Sequence, residues 1–251
     1  MALRLGYPMD RFAVAKGVEV TRDYAVLLRD ERTVVISDLH LGFEAALAEQ
    51  GVSIPRFQRK VILERLGAML DRTKAEQVVV AGDFKHAFSK NLVDEWVEVK
   101  QVLRFLKDRA MPILVRGNHD NYLATILGDL GLALHDRADI GGYTIVHGHE
   151  DVPSLGPIIM GHEHPAVKLR DELGATVSVP AFLLAERLIV LPAFSPLALG
   201  VDVSSYPYLS PILNRMEIED ARLIGADDKE GLLDFGIVRK LKSIRATLLM
   251  K

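Results

Sequence analysis

The sequence predicts an α/β fold built on buried strands. Short runs rich in β-branched residues each end in a polar cluster, as buried strands of a sheet do. Apolar stripes at helical spacing fill two of the gaps between these runs. Strands that alternate with helices imply a parallel sheet over the first 115 residues. After Leu130 the runs follow one another more closely, which predicts a second half that is mostly β.

The elements can be placed in chain order. A first helix follows Pro55, and a second begins after Asn91, which is suited to be its N-cap. Gly141-Gly142 predicts a hairpin turn ahead of the fourth run. The predicted strands cover residues 33–36, 77–81, 112–115, 143–146 and 158–160.

Composition narrows the class of protein. The chain has 251 residues, of which 49% are hydrophobic and 26% charged, values that suit one globular domain spanning 1–251. The absence of cysteine excludes a disulfide framework, a thiolate nucleophile and a Cys-zinc site. A net charge of −3 provides no global basic field for nucleic acid, although bound cations would add positive charge. With no apolar stretch suited to a signal peptide or a membrane span, we expect a cytoplasmic protein without a membrane partner.

Polar side chains follow all five predicted strands. Because ligand-binding residues of α/β sheets lie at the carboxyl ends of strands, these clusters are expected to form one pocket. Their mixture of carboxylate, amide and imidazole suits Mn, Fe, Zn or Co better than Ca or Mg alone. Seven donors exceed the need of one ion and suit two ions that share a bridging carboxylate and water. The candidates are Asp38, His40, Asp83, Asn118, His147, His162 and His164.

The motif series resembles the calcineurin-like metallophosphoesterases. All five motifs of that family occur in order across residues 38 to 164, about half of the chain. The resemblance implies a four-layer α-β-β-α sandwich with a two-metal hydrolytic site, Mn²⁺ being the expected metal and Fe, Zn, Co or Ni the alternatives. The motifs are Asp38-Leu39-His40, Gly82-Asp83, Gly117-Asn118-His119-Asp120, His147-Gly148 and Gly161-His162-Glu163-His164.

The resemblance also implies a role for each residue. It matches Asp83 to the bridging carboxylate and His119 to an imidazole that faces the substrate without binding metal. His147 is favoured over the alternative His149 because the ligand of the family directly follows a strand and precedes Gly. The first metal would be held by Asp38, His40 and His164. The second would be held by Asn118, His147 and His162.

Two further residues are candidates for catalysis. His86 stands where phosphoprotein phosphatases of this fold carry a second Asp, and this resembles the Mre11/SbcD nuclease branch, in particular the archaeal SbcD/Mre11-related phosphoesterases. His86 is either a second substrate-facing imidazole or a residue that orients His119 or a metal ligand. Asp120 is expected to orient His119 or to cap the following helix.

The predicted function is therefore hydrolysis of phosphate esters through a water activated between two metal ions. His86 favours phosphodiesters, with DNA or a nucleotide as candidate substrates. The alternatives are a phosphomonoesterase acting on a small molecule or phosphoprotein, and a non-catalytic scaffold on the same fold. The basic segment 237–251 is a candidate docking helix, dimer contact or nucleic-acid arm, or it packs on the domain. The sequence leaves the oligomeric state open.

Overall fold

The computed structural model contains two β-sheets. It describes residues 9–88, 92–153, 156–170, 176–198, 200–203 and 206–242. No helix in these ranges combines the length and the apolar character that a membrane span requires.

The first sheet has seven strands in the order β1 to β7. Strands β1 to β4 form an antiparallel meander, whereas β4 to β7 run parallel to one another. Its strands are β1 (Arg11–Ala15), β2 (Val18–Thr21), β3 (Ala25–Leu28), β4 (Thr33–Ile36), β5 (Gln77–Ala81), β6 (Met111–Val115) and β7 (Leu134–His135).

The second sheet is mixed and comes from the second half of the chain. Its strands are β8 (Ala138–Ile140), β9 (Tyr143–Val146), β10 (Ile158–Met160), β11 (Pro165–Arg170), β12 (Thr176–Ala185), β13 (Leu188–Val190), β14 (Val201–Asp202), β15 (Arg222–Asp227) and β16 (Gly231–Ile237). The strand order is β14-β11-β12-β13-β10-β9-β8, and β15 pairs with both β12 and β16. Within it, β9, β10 and β13 are parallel, so β9 and β10 end at the same edge.

The helices lie mainly in the first half. They are α1 (Phe43–Glu49), α2 (Gln58–Thr73), α3 (Val93–Arg109), α4 (Leu123–Gly128) and α5 (Pro211–Asn214). Helices α2 and α3 contact each other, and α3 also contacts β6. Both turn an apolar stripe towards the core, including Ile62 and Leu66 on α2 and Val99 and Leu103 on α3.

Alternation along the strands of the second sheet separates two hydrophobic clusters. Ile145 and Ile159 belong to a large cluster that joins both sheets with α2 and α3, whereas their neighbours Val146 and Met160 belong to a second cluster. The second cluster also contains Ile212, Leu213, Val238 and Leu241, from α5 and the residues after β16. The result is the predicted four-layer α-β-β-α sandwich, with a thin outer layer on the second sheet.

Most helices and strands agree with the sequence prediction. The exceptions are the strands β1 to β3 at the start of the chain. The five predicted strands form within one residue of the expected bounds, and Gly141-Gly142 joins the antiparallel pair β8 and β9. The expectation of a parallel sheet throughout the first 115 residues is wrong for β1 to β3, because short turns connect them and a parallel pair needs a long crossover.

Two other predictions fall partly outside the described ranges. Asn91, the predicted N-cap, lies outside them, and α3 begins at Val93. Of the basic segment 237–251, residues 243–251 lie outside them as well. Its described part packs on the domain through Val238 and Leu241, while Lys242 forms an ion pair with Glu219 at 2.6 Å.

Candidate metal centre

The carboxyl ends of strands from both sheets meet at one place. Asp38 follows β4, Asp83 follows β5 and Asn118 follows β6, while His147 follows β9 and the pair His162 and His164 follows β10. Backbone hydrogen bonds join the two sheets here, since the amides of Phe194 and Ser195 donate to the carbonyls of Ser37 and Asp38. All seven candidate ligands are therefore in one region.

A first cluster consists of Asp38, His40 and His164. The Nε2 atoms of the two histidines lie 3.4 Å apart, and Nε2 of His164 lies 3.1 Å from Oδ1 of Asp38. Asp38 also accepts a hydrogen bond from the amide of His162 at 3.1 Å. These three side chains point at a common centre.

A second cluster consists of Asp83, His147 and His162. Nε2 of His147 lies 3.2 Å from Nδ1 of His162 and 3.3 Å from Oδ2 of Asp83. The Oδ1 atom of Asn118 lies 3.0 Å from the same Nε2 atom. The amide oxygen is therefore a fourth donor on this side.

Asp83 lies between the two clusters. Its Oδ2 atom is 3.3 Å from Nε2 of His147 and 3.8 Å from Nε2 of His40. Its Oδ1 atom accepts a hydrogen bond from the amide of His119 at 2.9 Å. Oδ1 of Asp83 thus holds the loop that carries His119, whereas Oδ2 faces imidazoles of both clusters.

The donor set fits divalent metal ions. Imidazole nitrogen and carboxylate oxygen bind such ions at about 2.0–2.2 Å, so ligands that share one ion lie roughly 3.0–3.5 Å apart. The ring nitrogens within each cluster have this spacing, at 3.4 Å in the first and 3.2 Å in the second. The residues could therefore hold two ions, and the mixture of nitrogen and oxygen suits Mn, Fe, Zn or Co.

Burial sets the protonation of two of these imidazoles. It lowers the pKa of His40 to about 3 and that of His162 to about 4, although the carboxylates of Asp38 and Asp83 oppose the shift. Both histidines are therefore neutral at pH 7, and the neutral imidazole is the form that binds metal.

His147 and Asp38 carry charge in the metal-free protein. Burial opposes protonation of His147, but the hydrogen bond to Asp83 and the charges of Asp38 and Asp83 raise the pKa of His147 to about 9. Burial likewise opposes ionisation of Asp38, yet the charge and hydrogen bond of His164 hold the pKa of this carboxyl below its usual value. Metal binding at His147 would thus release a proton.

The positions of the two side chains favour His147 over His149 as the metal ligand. Nδ1 of His147 donates to the carbonyl of Ala81 at 3.0 Å, which leaves Nε2 directed into the second cluster. The ring of His149 lies 5.2 Å from that of His147, and its Nε2 atom is 3.7 Å from Glu150. Among the described residues, His149 belongs to none of the groups that could hold an ion.

His119 and His86 lie beside the first cluster. Nδ1 of His119 donates to the carbonyl of His86 at 2.5 Å, and its Nε2 atom lies 4.0 Å from Oδ2 of Asp83. Nδ1 of His86 lies 3.4 Å from Nδ1 of His40, and its ring stacks on that of His119 with centroids 5.4 Å apart. Both rings therefore lie beside that of the candidate ligand His40, and the three imidazoles form a third group that could hold an ion. His86 and His119 also line a cavity.

The side chain of Asp120 binds the backbone of two loops beside the site. Its carboxylate accepts hydrogen bonds from the backbone amides of Phe84, Lys85 and Gly117 at 2.9, 3.3 and 2.8 Å. Helix α4 has no side-chain cap, and the described hydrogen bonds of the Asp120 side chain do not include the ring of His119. Burial raises the pKa of Asp120 to about 6, and it ties the loops after β5 and β6 together.

Several buried residues that support the site are absent from the sequence prediction. Glu95 accepts hydrogen bonds from the amides of His86 and Ala87 at 3.0 and 2.6 Å, and Lys85 forms a buried ion pair with it at 3.7 Å. Gln58 donates to the carbonyl of His40 at 2.8 Å. The sequence does contain a sign of this role for Glu95. It lies on the apolar stripe of α3, one turn before Val99, and a buried carboxylate at such a position needs a partner.

The backbone is strained at the candidate ligands. Five of them occupy the left-handed region, which costs about 1–3 kcal/mol for a residue other than glycine. Such strain concentrates at functional sites because surrounding contacts must maintain it. The residues and their φ angles are Asp38 (58°), His40 (47°), Asp83 (50°), His162 (66°) and His164 (47°).

Close packing at Gly161 provides a first test. A Cβ atom there would collide with the carboxylate of Asp38 and approach the Ser37 side chain to 2.6 Å. We expect Gly161→Ala to displace Asp38 and to lower kcat/KM about 10²-fold, the effect of a misplacement of about 1 Å. Metal content and kcat/KM with bis-(4-nitrophenyl) phosphate, a substrate for the activity that the sequence predicts, measure the outcome.

Gly67→Ala is the matched control. Gly67 lies inside α2, where a Cβ atom would meet Phe105 at an ordinary 3.7 Å. This variant should keep full activity and gain about 0.5–1 kcal/mol in unfolding free energy. Wild-type kinetics and metal content in Gly161→Ala would show that the site tolerates a methyl group at this contact.

Comparison with known proteins agrees with this geometry. An α/β sandwich that gathers imidazoles and carboxylates at its strand ends is typical of metal-dependent phosphoesterases. The chain belongs to the calcineurin-like phosphoesterase family, whose sequence model matches residues 31–173. The predicted family and fold are thereby confirmed.

Two solved structures are similar to this chain. The Pseudomonas putida nuclease MPE has a TM-score of 0.64 and 21% identity, with 88% of this chain and 96% of that chain covered. YfcE, a phosphoesterase from E. coli, has a TM-score of 0.40 and 16% identity, with 78% and 88% covered. The first likeness supports the fold. No curated protein sequence matches this chain.

Proposed function

We propose that this protein is a two-metal phosphodiesterase. The observation that carries the proposal is the position of Asp83, whose Oδ2 atom lies 3.3 Å from an imidazole of one cluster and 3.8 Å from an imidazole of the other. In this proposal Asp83 would be shared by two ions. Asp38, His40 and His164 would hold the first ion, and Asn118, His147 and His162 would hold the second.

When bound, two such cations would supply an activated water and would polarise a phosphoryl oxygen. Mn²⁺ is the metal we expect. The chain itself positions the ions through Ala81, whose carbonyl orients His147, and through Gln58, which holds the backbone of His40.

His119 acts on the substrate. Because its Nδ1 atom is occupied by the carbonyl of His86, its Nε2 atom is the one that can hold a proton for the leaving oxygen or donate a hydrogen bond to the transition state. Asp120 positions His119 indirectly, since it binds the amide of Gly117 two residues earlier. Asp120 is therefore a positioning residue.

Two observations favour a phosphodiester over a monoester. His86 stands where phosphatases of the fold carry an acid, in the manner of the SbcD/Mre11-related branch. One structural relative is a nuclease. The loop that carries His86 is pinned by Glu95 and the buried Lys85, which keeps this imidazole beside the site. DNA or a nucleotide ester is the substrate class we propose.

The test compares hydrolysis of bis-(4-nitrophenyl) phosphate and 4-nitrophenyl phosphate at equal enzyme and Mn²⁺, together with metal content. We expect two ions per chain and a higher kcat/KM for the diester. One ion per chain at saturating metal would contradict the two-metal site. A clear preference for the monoester would assign the protein to the phosphatase branch.

A further inference from the structure

A cavity adjoins His119 on the side of α1. Its volume is about 280 Å³, and its walls come from α1 and from the loops after β5 and β6. His86 and His119 line it, together with Ala46, Phe88 and Leu92. It therefore opens beside the proposed proton donor.

Phe88 is a large apolar residue of the cavity wall that is exposed to solvent. It is 55% exposed, although its ring lies 5.9 Å from that of His119. The carbonyl of Phe88 accepts a hydrogen bond from Asn121 at 3.1 Å, which ties it to the loop that carries His119. A large apolar ring held at a polar site and left open to water is suited to stack against a ligand.

The chemistry of the walls indicates what the ligand is. None of the described residues that line the cavity is Lys or Arg, and one of them, Glu49, is acidic. A carboxylate accepts hydrogen bonds, so these walls suit a flat ring that carries amino groups. The 280 Å³ volume lies just below the roughly 300–1,000 Å³ of pockets for drug-sized ligands, so one planar ring system suits it.

We propose that this cavity binds the nucleobase next to the scissile phosphate, by stacking on Phe88. The inference rests on the proposed phosphodiesterase function and names its substrate class as nucleotide esters. Stacking on an aromatic side chain tolerates every base, so recognition would depend little on sequence.

The kinetic test uses the full chain with Mn²⁺ and two dinucleotides, one intact and one with tetrahydrofuran abasic residues in place of both bases. For Phe88→Ala we expect kcat/KM to fall about 5- to 100-fold on the intact dinucleotide and to change less than about twofold on the abasic one. Phe88→Tyr should retain the wild-type value, and Phe88→Leu should behave like Phe88→Ala. An equal loss on both dinucleotides would overturn the proposal.

A binding test separates this proposal from the proposed reaction. In Phe88→Trp without added metal, the intact dinucleotide should quench the fluorescence of the new indole, and the abasic one should not. Quenching without diester hydrolysis by the metal-loaded wild type would refute the phosphodiesterase function and leave the nucleobase site standing. Equal quenching by both dinucleotides, or none by either, would refute the nucleobase site.

Discussion

Replacing Asp83 with asparagine is expected to remove metal from both clusters and to reduce turnover to background. The substitution deletes a negative charge whose Oδ2 atom lies 3.3 Å from His147 and 3.8 Å from His40. The loss should exceed the roughly 10- to 100-fold that changing an outer partner of a metal ligand costs. Metal content after dialysis and kcat with bis-(4-nitrophenyl) phosphate measure it.

The loop itself should remain in place in Asp83→Asn. Oδ1 accepts the amide of His119 at 2.9 Å, and the amide oxygen of asparagine can accept the same hydrogen bond. Asp136→Asn is the control, because Asp136 is 93% exposed and its ion pair with Arg116 spans 3.4 Å. Two ions per chain in Asp83→Asn would refute the bridging role.

His119→Gln is expected to separate catalysis from metal binding. His119 forms a third group with His40 and His86, but it contributes no donor to the clusters around Asp38 and Asp83, so two ions should still bind there. Turnover should fall about 10²- to 10⁴-fold, the usual cost of one positioned proton donor or oxyanion stabiliser. The measurements are kcat and metal stoichiometry on the same preparation.

His135→Gln makes the same chemical change at an exposed residue of β7, outside these groups, and should match the wild type. Metal loss in His119→Gln would mean that His119 is itself a ligand. Unchanged kcat with both ions bound would remove it from the mechanism.

The sequence predicted the fold well where strands alternate with helices. The runs before Asp38, Asp83 and Asn118 are continuous and β-branched, a pattern typical of buried parallel strands. It did not predict β1 to β3 or α1, because their short segments carry weak periodicity and their pairing depends on the turns between them.

The spacing of residues in the sequence does not predict which side chains support the candidate ligands. Asp120 is next to His119 in the chain, and yet its carboxylate binds the amides of Phe84 and Lys85, more than thirty residues away. Glu95 supports His86 in the same way from a helix. A hydrogen bond between distant segments leaves no local pattern in the sequence. The sequence therefore predicts neither these contacts of Asp120 nor those of Glu95.

The sequence by itself identified the family and predicted the donor side chains, because motifs at strand ends are local patterns of residue type and spacing. Only the tertiary structure decided the contacts that bring these donors together, with His164 beside Asp38 and His162 beside Asp83. Those two histidines are only two residues apart, and left-handed backbone at both, with φ angles of 66° and 47°, accompanies their placement in different clusters. That placement depends on the strand ends of two stacked sheets meeting at one place, which is a long-range contact and not a property of any segment.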